Sequence, residues 1–208
     1  SLGTNGGPHD GSSLVEQGID AMVSEKPNRA VVIAASNSQG DGIHTSGQVP
    51  ATGLVEDLVW RVRDLVGGEA EVWFAGAKRL ELSLIGPDGT VVLDALQPGD
   101  TAEIADDQGK LAVFASSRLT EPNNGDNVLG VYLAPGLPGG DWTIRLRSLG
   151  GDVVDYHAWV ERLDSAQSSF ARPVPTHTLG SISTGRLSIV VGSYDAHKAS
   201  FPISSFSS

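Results

Sequence analysis

Four residues near the N-terminus have the side-chain types that serine-dependent hydrolysis requires. Such chemistry needs a serine nucleophile, a histidine base and a carboxylate that orients the histidine. These groups occur close together at His9, Asp10, Ser12 and Ser13. Adjacent residues of one loop rarely converge on a single reacting atom, whereas Asp and Ser before an apolar helical pattern are favoured N-caps. We therefore predict that this group caps a helix.

The remaining histidines and the loop carboxylates show no metal-binding spacing. Three histidines lie in predicted loops: His44, His177 and His197. His157 lies in the strand pattern DYHAW, where a packed or surface histidine is expected. The loop carboxylates lack the ladder of a calcium-binding loop, and they are Asp106, Asp107 and Asp126. We predict no metal and no other cofactor.

A carboxamide follows a strongly apolar stretch. Residues 31–40 read VVIAASNSQG and change from β-branched residues to small ones and then to Asn37. Asn commonly ends a strand and begins a turn because its side chain bonds to nearby backbone. The local sequence by itself favours this turn.

Composition restricts the classes of partner. The 208 residues carry a formal net charge of −11, which argues against nucleic acid because phosphate binding needs a basic surface. No apolar run approaches the ~18 residues of a membrane-spanning helix. We therefore expect neither a nucleic acid nor a membrane as partner. The chain has no cysteine, so cysteine usage indicates no compartment.

Two flanking regions have α/β patterning. Apolar and small residues recur at helical spacing and predict one amphipathic helix, with Leu14, Val15, Gly18, Ile19, Met22 and Val23 on its stripe. The apolar runs at 30–35 and 187–191 predict strands buried on both faces, as in a parallel sheet. Residues 1–45 and 172–208 are therefore predicted to form a partial α/β domain.

The region between the flanks has a different pattern. Nine short segments are bounded by turn sequences such as PDG and PGLPGGD, and many alternate apolar and polar residues. They predict an inserted β-sandwich of jelly-roll type over residues 46–171, with Trp60, Trp73 and Trp142 in its core. The predicted fold class is an α/β fragment, part of a parallel sheet, interrupted by this all-β sandwich.

The flanks resemble the middle of the subtilisin-like serine peptidases (subtilases, peptidase family S8). The motifs that carry the resemblance are SLG at the start, AASN where the family has Ala-Ala-Gly-Asn, LSIVVGSYD and a final FSS. Each motif is short, and their order along the chain makes the match. The insertion resembles that of the clostridial Csp-type subtilases in WFAG at 73–76, LSLIGPDG at 82–89 and GDWTIRL at 140–146.

The resemblance implies site residues. Asn37 corresponds to the oxyanion-hole residue, whose amide stabilises the charge that develops on the scissile carbonyl oxygen. The residues that wall the primary specificity pocket are Ala34, Ala35 and Ser36. The residues whose backbone groups receive substrate as an added strand are Ser1, Leu2 and Gly3. Ser36 replaces the family's usual Gly, which predicts a narrower or more polar pocket, or a rearranged strand end.

The resemblance further implies that the catalytic Asp and His precede SLG and that the Ser follows FSS. We therefore interpret these residues as a segment of a serine endopeptidase that acts on peptide or protein substrates and is inactive alone. The family suggests a bacterial extracellular or cell-envelope location. Unpaired flank strands would permit self-association.

A second hypothesis is a non-catalytic binding module. A β-sandwich can recognise carbohydrate or a protein partner through exposed aromatic side chains. The candidates for such a surface are Tyr132, Tyr156 and Trp159.

Overall fold

The computed structural model describes residues 3–51, 53–163 and 166–208. Within these ranges the chain forms one helix, α1 (Leu14–Glu25), and thirteen strands. The strands are β1 (Val32–Ala34), β2 (His44–Val49), β3 (Val55–Val62), β4 (Gly68–Phe74), β5 (Leu80–Ile85), β6 (Val91–Leu96), β7 (Thr101–Ala105), β8 (Leu111–Arg118), β9 (Asn127–Leu133), β10 (Gly140–Ser148), β11 (Val154–Val160), β12 (Ser169–Phe170) and β13 (Ile189–Val191).

Strands β2 to β12 form two antiparallel sheets. One has the order β12-β3-β10-β5-β6, and the other has the order β2-β11-β4-β9-β8-β7. The nine segments predicted between the flanks are strands β3 to β11. Strand β3 pairs with β10 and β4 pairs with β9, so the chain crosses between the two sheets of a β-sandwich. Strands β5 and β6 are neighbours within one sheet, and β7, β8 and β9 are neighbours within the other.

The core lies between these two sheets, where alternate residues of strands such as β3 and β10 are buried. In the five-stranded sheet Trp60 lies opposite Trp142, and Ile144 lies between Leu58 and Leu84. All five side chains are buried. The prediction that Trp60, Trp73 and Trp142 belong to the core is confirmed.

The predicted α/β fold class is wrong. The described chain is nearly all β, with antiparallel sheets and a single short helix. In the part of the chain that the structure describes, parallel pairing is confined to β1 and β13, which are three residues each. Ile189, Val190 and Val191 are exposed, whereas the pattern predicted burial on both faces. An apolar run specifies a buried strand only if other strands and helices cover it, and in the described residues nothing else pairs with β1 and β13.

The N-cap of helix α1 lies in the predicted group of residues. The side chains that the helix buries are not those of its predicted apolar stripe. Ser13 is the N-cap, and its hydroxyl accepts a hydrogen bond from the Glu16 amide. Glu16 is fully buried, while Leu14 and Met22 on the apolar stripe are exposed. Among the described residues, no helix is long and apolar enough to cross a membrane.

Candidate functional site

The backbone that carries Asn37 is held by hydrogen bonds from three parts of the chain. The Ala35 amide donates to the Val191 carbonyl at 2.9 Å, which extends the pairing of β1 with β13. The Gly180 amide donates to the Ala35 carbonyl at 3.0 Å, and the Ser208 amide donates to the Ser36 carbonyl at 3.2 Å. Residues 35 and 36 are therefore fixed on both sides immediately before Asn37.

A small pocket of about 50 Å³ opens beside this strand end. Four of the predicted site residues line it: Gly3, Ala34, Ser36 and Asn37. Ala35 is buried and is not among the lining residues. Ser1 and Leu2 lie outside the described residues.

Five further lining residues were missed from the sequence: Thr4, Asn5, Arg162, Gly180 and Ser183. Gly180 and Ser183 belong to the stretch TLGSISTG, which lies shortly before the LSIVVGSYD motif. Ser183 donates from its hydroxyl to the Ala34 carbonyl at 2.8 Å. Arg162 lies shortly after β11. No feature of the sequence predicted that it would lie near Asn37.

The side chain of Asn37 is exposed, and within the described ranges it has no hydrogen-bond partner. A primary amide has two N–H donors and no charge. Here the amide stands on a rigid strand end with its donors available. An uncharged amide of this kind can donate a hydrogen bond to an anionic oxygen.

Ser36 has a backbone conformation that normally requires glycine. Its φ is 122°, and a residue with a Cβ in such a region is strained by about 1–3 kcal/mol. The Ser36 hydroxyl lies 3.2 Å from the Ser38 hydroxyl. The strand end therefore keeps a conformation suited to Gly although the residue is Ser.

We expect Ser36→Gly to raise the free energy of unfolding by about 1 kcal/mol, since relief of strain exceeds the entropy that Gly adds to the unfolded chain. Ser36→Ala is the matched control, because it removes the same hydroxyl and keeps the Cβ. Urea denaturation of both variants measures the difference. Equal unfolding free energies of Ser36→Gly and Ser36→Ala would show that the positive φ at residue 36 causes no strain.

Two carboxylates at the end of the six-stranded sheet hold the N-terminal segment. Glu161 accepts hydrogen bonds from the Thr4 hydroxyl and from the amides of Asn5 and Gly6, the amides at 2.9 and 3.0 Å. Glu71 on β4 accepts from the Gly7 amide at 2.8 Å. The sandwich thus positions one wall of the pocket.

The histidines do not form a serine triad within residues 3–51, 53–163 and 166–208. No histidine there hydrogen-bonds to both a serine hydroxyl and a carboxylate. His9 instead contacts the Asn5 carbonyl through Nε2 at 2.6 Å and stacks on Trp159. This agrees with the prediction that residues 9–13 have a capping and turn role.

Three histidines that the sequence spread over 134 positions converge. His44 on β2, His157 on β11 and His177 each offer a ring nitrogen, and the three nitrogens lie within 4.8 Å of one another. The prediction placed His44 and His177 in loops and found no metal-like spacing. It missed the cluster because antiparallel pairing of β2 with β11 creates it. Burial lowers the pKa of His44 to about 4, and the neighbouring His157 and His177 lower it too.

Two of the three aromatic residues proposed for a binding module are unsuited to it, whereas Tyr132 is half-buried and lines a cleft with Phe114. Tyr156 and Trp159 are buried, the Tyr156 hydroxyl lies 3.2 Å from Glu56 Oε1, and the Trp159 indole donates to the His177 carbonyl at 2.9 Å. Neither ring presents a face on which a sugar could stack.

Comparisons with known proteins show a similarity in structure but none in sequence. No family model matches the chain, and no curated protein matches it. Among solved structures, the chain is similar to a Clostridium perfringens protein described as the CspB protease, with a TM-score of 0.78 and 24% identity. The match covers 100% of this chain and 43% of that chain. The two proteins therefore share the fold over all of this chain, which spans less than half of the neighbour.

Proposed function

We propose that this chain is a segment of a subtilisin-like serine endopeptidase of the Csp type, in which Asn37 is the oxyanion-hole donor. One observation carries the proposal: Gly3, from the SLG motif, lines the same pocket as Ala34, Ser36 and Asn37 from the AASN motif. The similarity in fold to a protease over the full length of the chain supports it.

The chemistry of peptide cleavage suits this pocket. Attack on a peptide carbonyl creates an alkoxide, and an amide N–H positioned in advance stabilises the charge as it develops. Asn37 meets this need without a charge that would attract anions before the reaction. Ala34, Ala35 and Ser36 are proposed to border the substrate side chain, and Ser1, Leu2 and Gly3 to receive the substrate backbone, so the partner is a peptide or protein.

The catalytic Asp, His and Ser are proposed to lie outside this chain. The exposed apolar residues of β13 and of helix α1 support this, since a larger domain would cover them. In its absence they are surfaces through which copies of the chain could associate. We propose residues 46–171 as an inserted domain that borders the cleft and holds residues 4–7 in place.

Labelling with a fluorophosphonate probe, which reacts with activated serines, tests the proposal. The intact protein, with its flanking sequence, should be labelled, and the 208-residue chain alone should not. Labelling of the short chain that is lost on changing a serine within it would contradict the proposal. So would an intact protein that carries no Asp and His before residue 1 and no Ser after residue 208.

A further inference from the structure

The histidine cluster has the composition and spacing of a transition-metal site. Its ring centroids lie 5.2 Å apart for His44 and His157, 5.2 Å for His44 and His177, and 4.8 Å for His157 and His177. His44 Nε2 lies 3.0 Å from His157 Nδ1. A tetrahedral zinc ion with bonds of 2.0–2.1 Å separates two ligand nitrogens by about 3.3 Å. Two of the three ligands are thus almost at the required spacing.

The hydrogen bonds around His44 direct a lone pair into the cluster. The ring is fully buried, and its Nδ1 lies 3.3 Å from the Val174 carbonyl. A carbonyl oxygen only accepts, so Nδ1 carries the proton in this contact and Nε2 is left as a ligand atom. A backbone carbonyl that orients a ligating histidine in this way is the usual second partner at metal sites.

The third ligand is able to complete the site. His177 is exposed, so its ring has room to move the short distance that coordination requires. Its Nδ1 lies 3.0 Å from the Thr176 hydroxyl, and its ring lies beside the rings of His44 and His157. Three imidazoles and a solvent-facing position for water make four ligands, the number that zinc prefers.

We propose that His44, His157 and His177 bind a divalent ion of the zinc class, which links strands β2 and β11 to the segment that returns from the sandwich. Imidazole ligands favour zinc and its neighbours in the first transition row over calcium or magnesium. Gly180, three residues after His177, donates to the Ala35 carbonyl beside the pocket. The ion would therefore anchor the segment that forms one wall of that pocket. The site is independent of the proposed peptidase function.

Metal titration of the 208-residue chain, freed of metal with EDTA, tests the proposal. We expect Zn²⁺ to bind with 1:1 stoichiometry in calorimetry and to raise the midpoint of thermal unfolding. Co²⁺ should give the intense visible bands of a tetrahedral complex. His177→Asn should weaken binding at least ~10-fold, because loss of a ligand costs no less than loss of an outer partner.

The variants separate loss of the site from loss of the fold. Asn tolerates the left-handed backbone of His177, whose φ is 59°, and far-UV circular dichroism should be unchanged. His197→Asn, at an exposed histidine outside the cluster, is the matched control and should bind Zn²⁺ as the parent does. His157→Gln is a second variant that should also lose binding. Absence of binding by the parent chain, or equal affinity in the parent and His177→Asn, would overturn the proposal.

Discussion

Under the proposed function, replacement of Asn37 by Ala in the intact protein is expected to lower kcat by about 10²–10³ and to leave KM nearly unchanged. In subtilisin, loss of one oxyanion-hole donor has an effect of this size. Asn37, the proposed donor, follows a strand end that donates a hydrogen bond to Val191 and accepts hydrogen bonds from Gly180 and Ser208. Because the bond strengthens only when the carbonyl oxygen becomes an alkoxide, its loss affects the transition state more than the bound substrate.

Steady-state kinetics on a peptide substrate measure this effect. Asn123→Ala removes an exposed loop Asn, whose one hydrogen bond to Glu121 is 3.4 Å long, and should leave both constants unchanged. Asn37→Asp places a negative charge beside the oxyanion and should be at least as inactive as Asn37→Ala. A value of kcat for Asn37→Ala within about threefold of the parent would exclude an oxyanion-hole role, since one donor contributes far more.

Replacement of Glu161 by Gln is expected to destabilise the chain by about 3 kcal/mol and to release the N-terminal segment. The carboxylate accepts from the Thr4 hydroxyl and from the amides of Asn5, Gly6 and Arg162. Hydrogen bonds to a charged group contribute about 1.5–3 kcal/mol each. Gln keeps one acceptor oxygen and turns an NH₂ group toward donors, so at least one amide loses its partner.

The contribution of Glu161 depends on pH. Burial by itself would raise the pKa of this carboxyl, but the hydrogen bonds from Thr4, Arg162, Asn5 and Gly6 prevail and hold it below the ordinary value of 4.5. The unfolded chain therefore takes up this proton at a higher pH than the folded chain. The stabilisation is complete above pH 4.5 and is lost as the pH falls through the lower, folded pKa.

Urea denaturation at several pH values measures both effects. The difference in unfolding free energy between the parent and Glu161→Gln should be constant near neutral pH and should shrink below pH 4.5. Glu103→Gln, at an exposed carboxylate on β7, is the control and should change stability little. Hydrogen exchange should show faster exchange of the Asn5 and Gly6 amides in Glu161→Gln only. A difference in unfolding free energy between the parent and Glu161→Gln that stays the same down to pH 3 would contradict the assigned role.

Local pattern was sufficient for the sandwich and for the helix cap. Alternation of apolar and polar residues between turn sequences determined β3 to β11, because each of these strands has one face to bury in a core within the same chain. A cap among Asp10, Ser12 and Ser13 was recognisable because an N-cap acts on its own first turn, and the structure places Ser13 in that role. Strand β2, with the sequence HTSGQV, has little apolar signal and is a strand because β11 pairs with it.

The tertiary structure decided whatever depends on partners distant in sequence. The apolar runs at 30–35 and 187–191 predicted strands of a buried parallel sheet. A strand is buried only where other strands or helices pack on it, and a run of Val and Ile does not specify these neighbours. The motifs identified Asn37, but only the fold placed Gly3, Arg162 and Gly180 around it. His44, His157 and His177 are unrelated in spacing, and antiparallel register together with the returning segment brings their rings together. Sequence determines which side chains are available, and long-range pairing determines which of them meet.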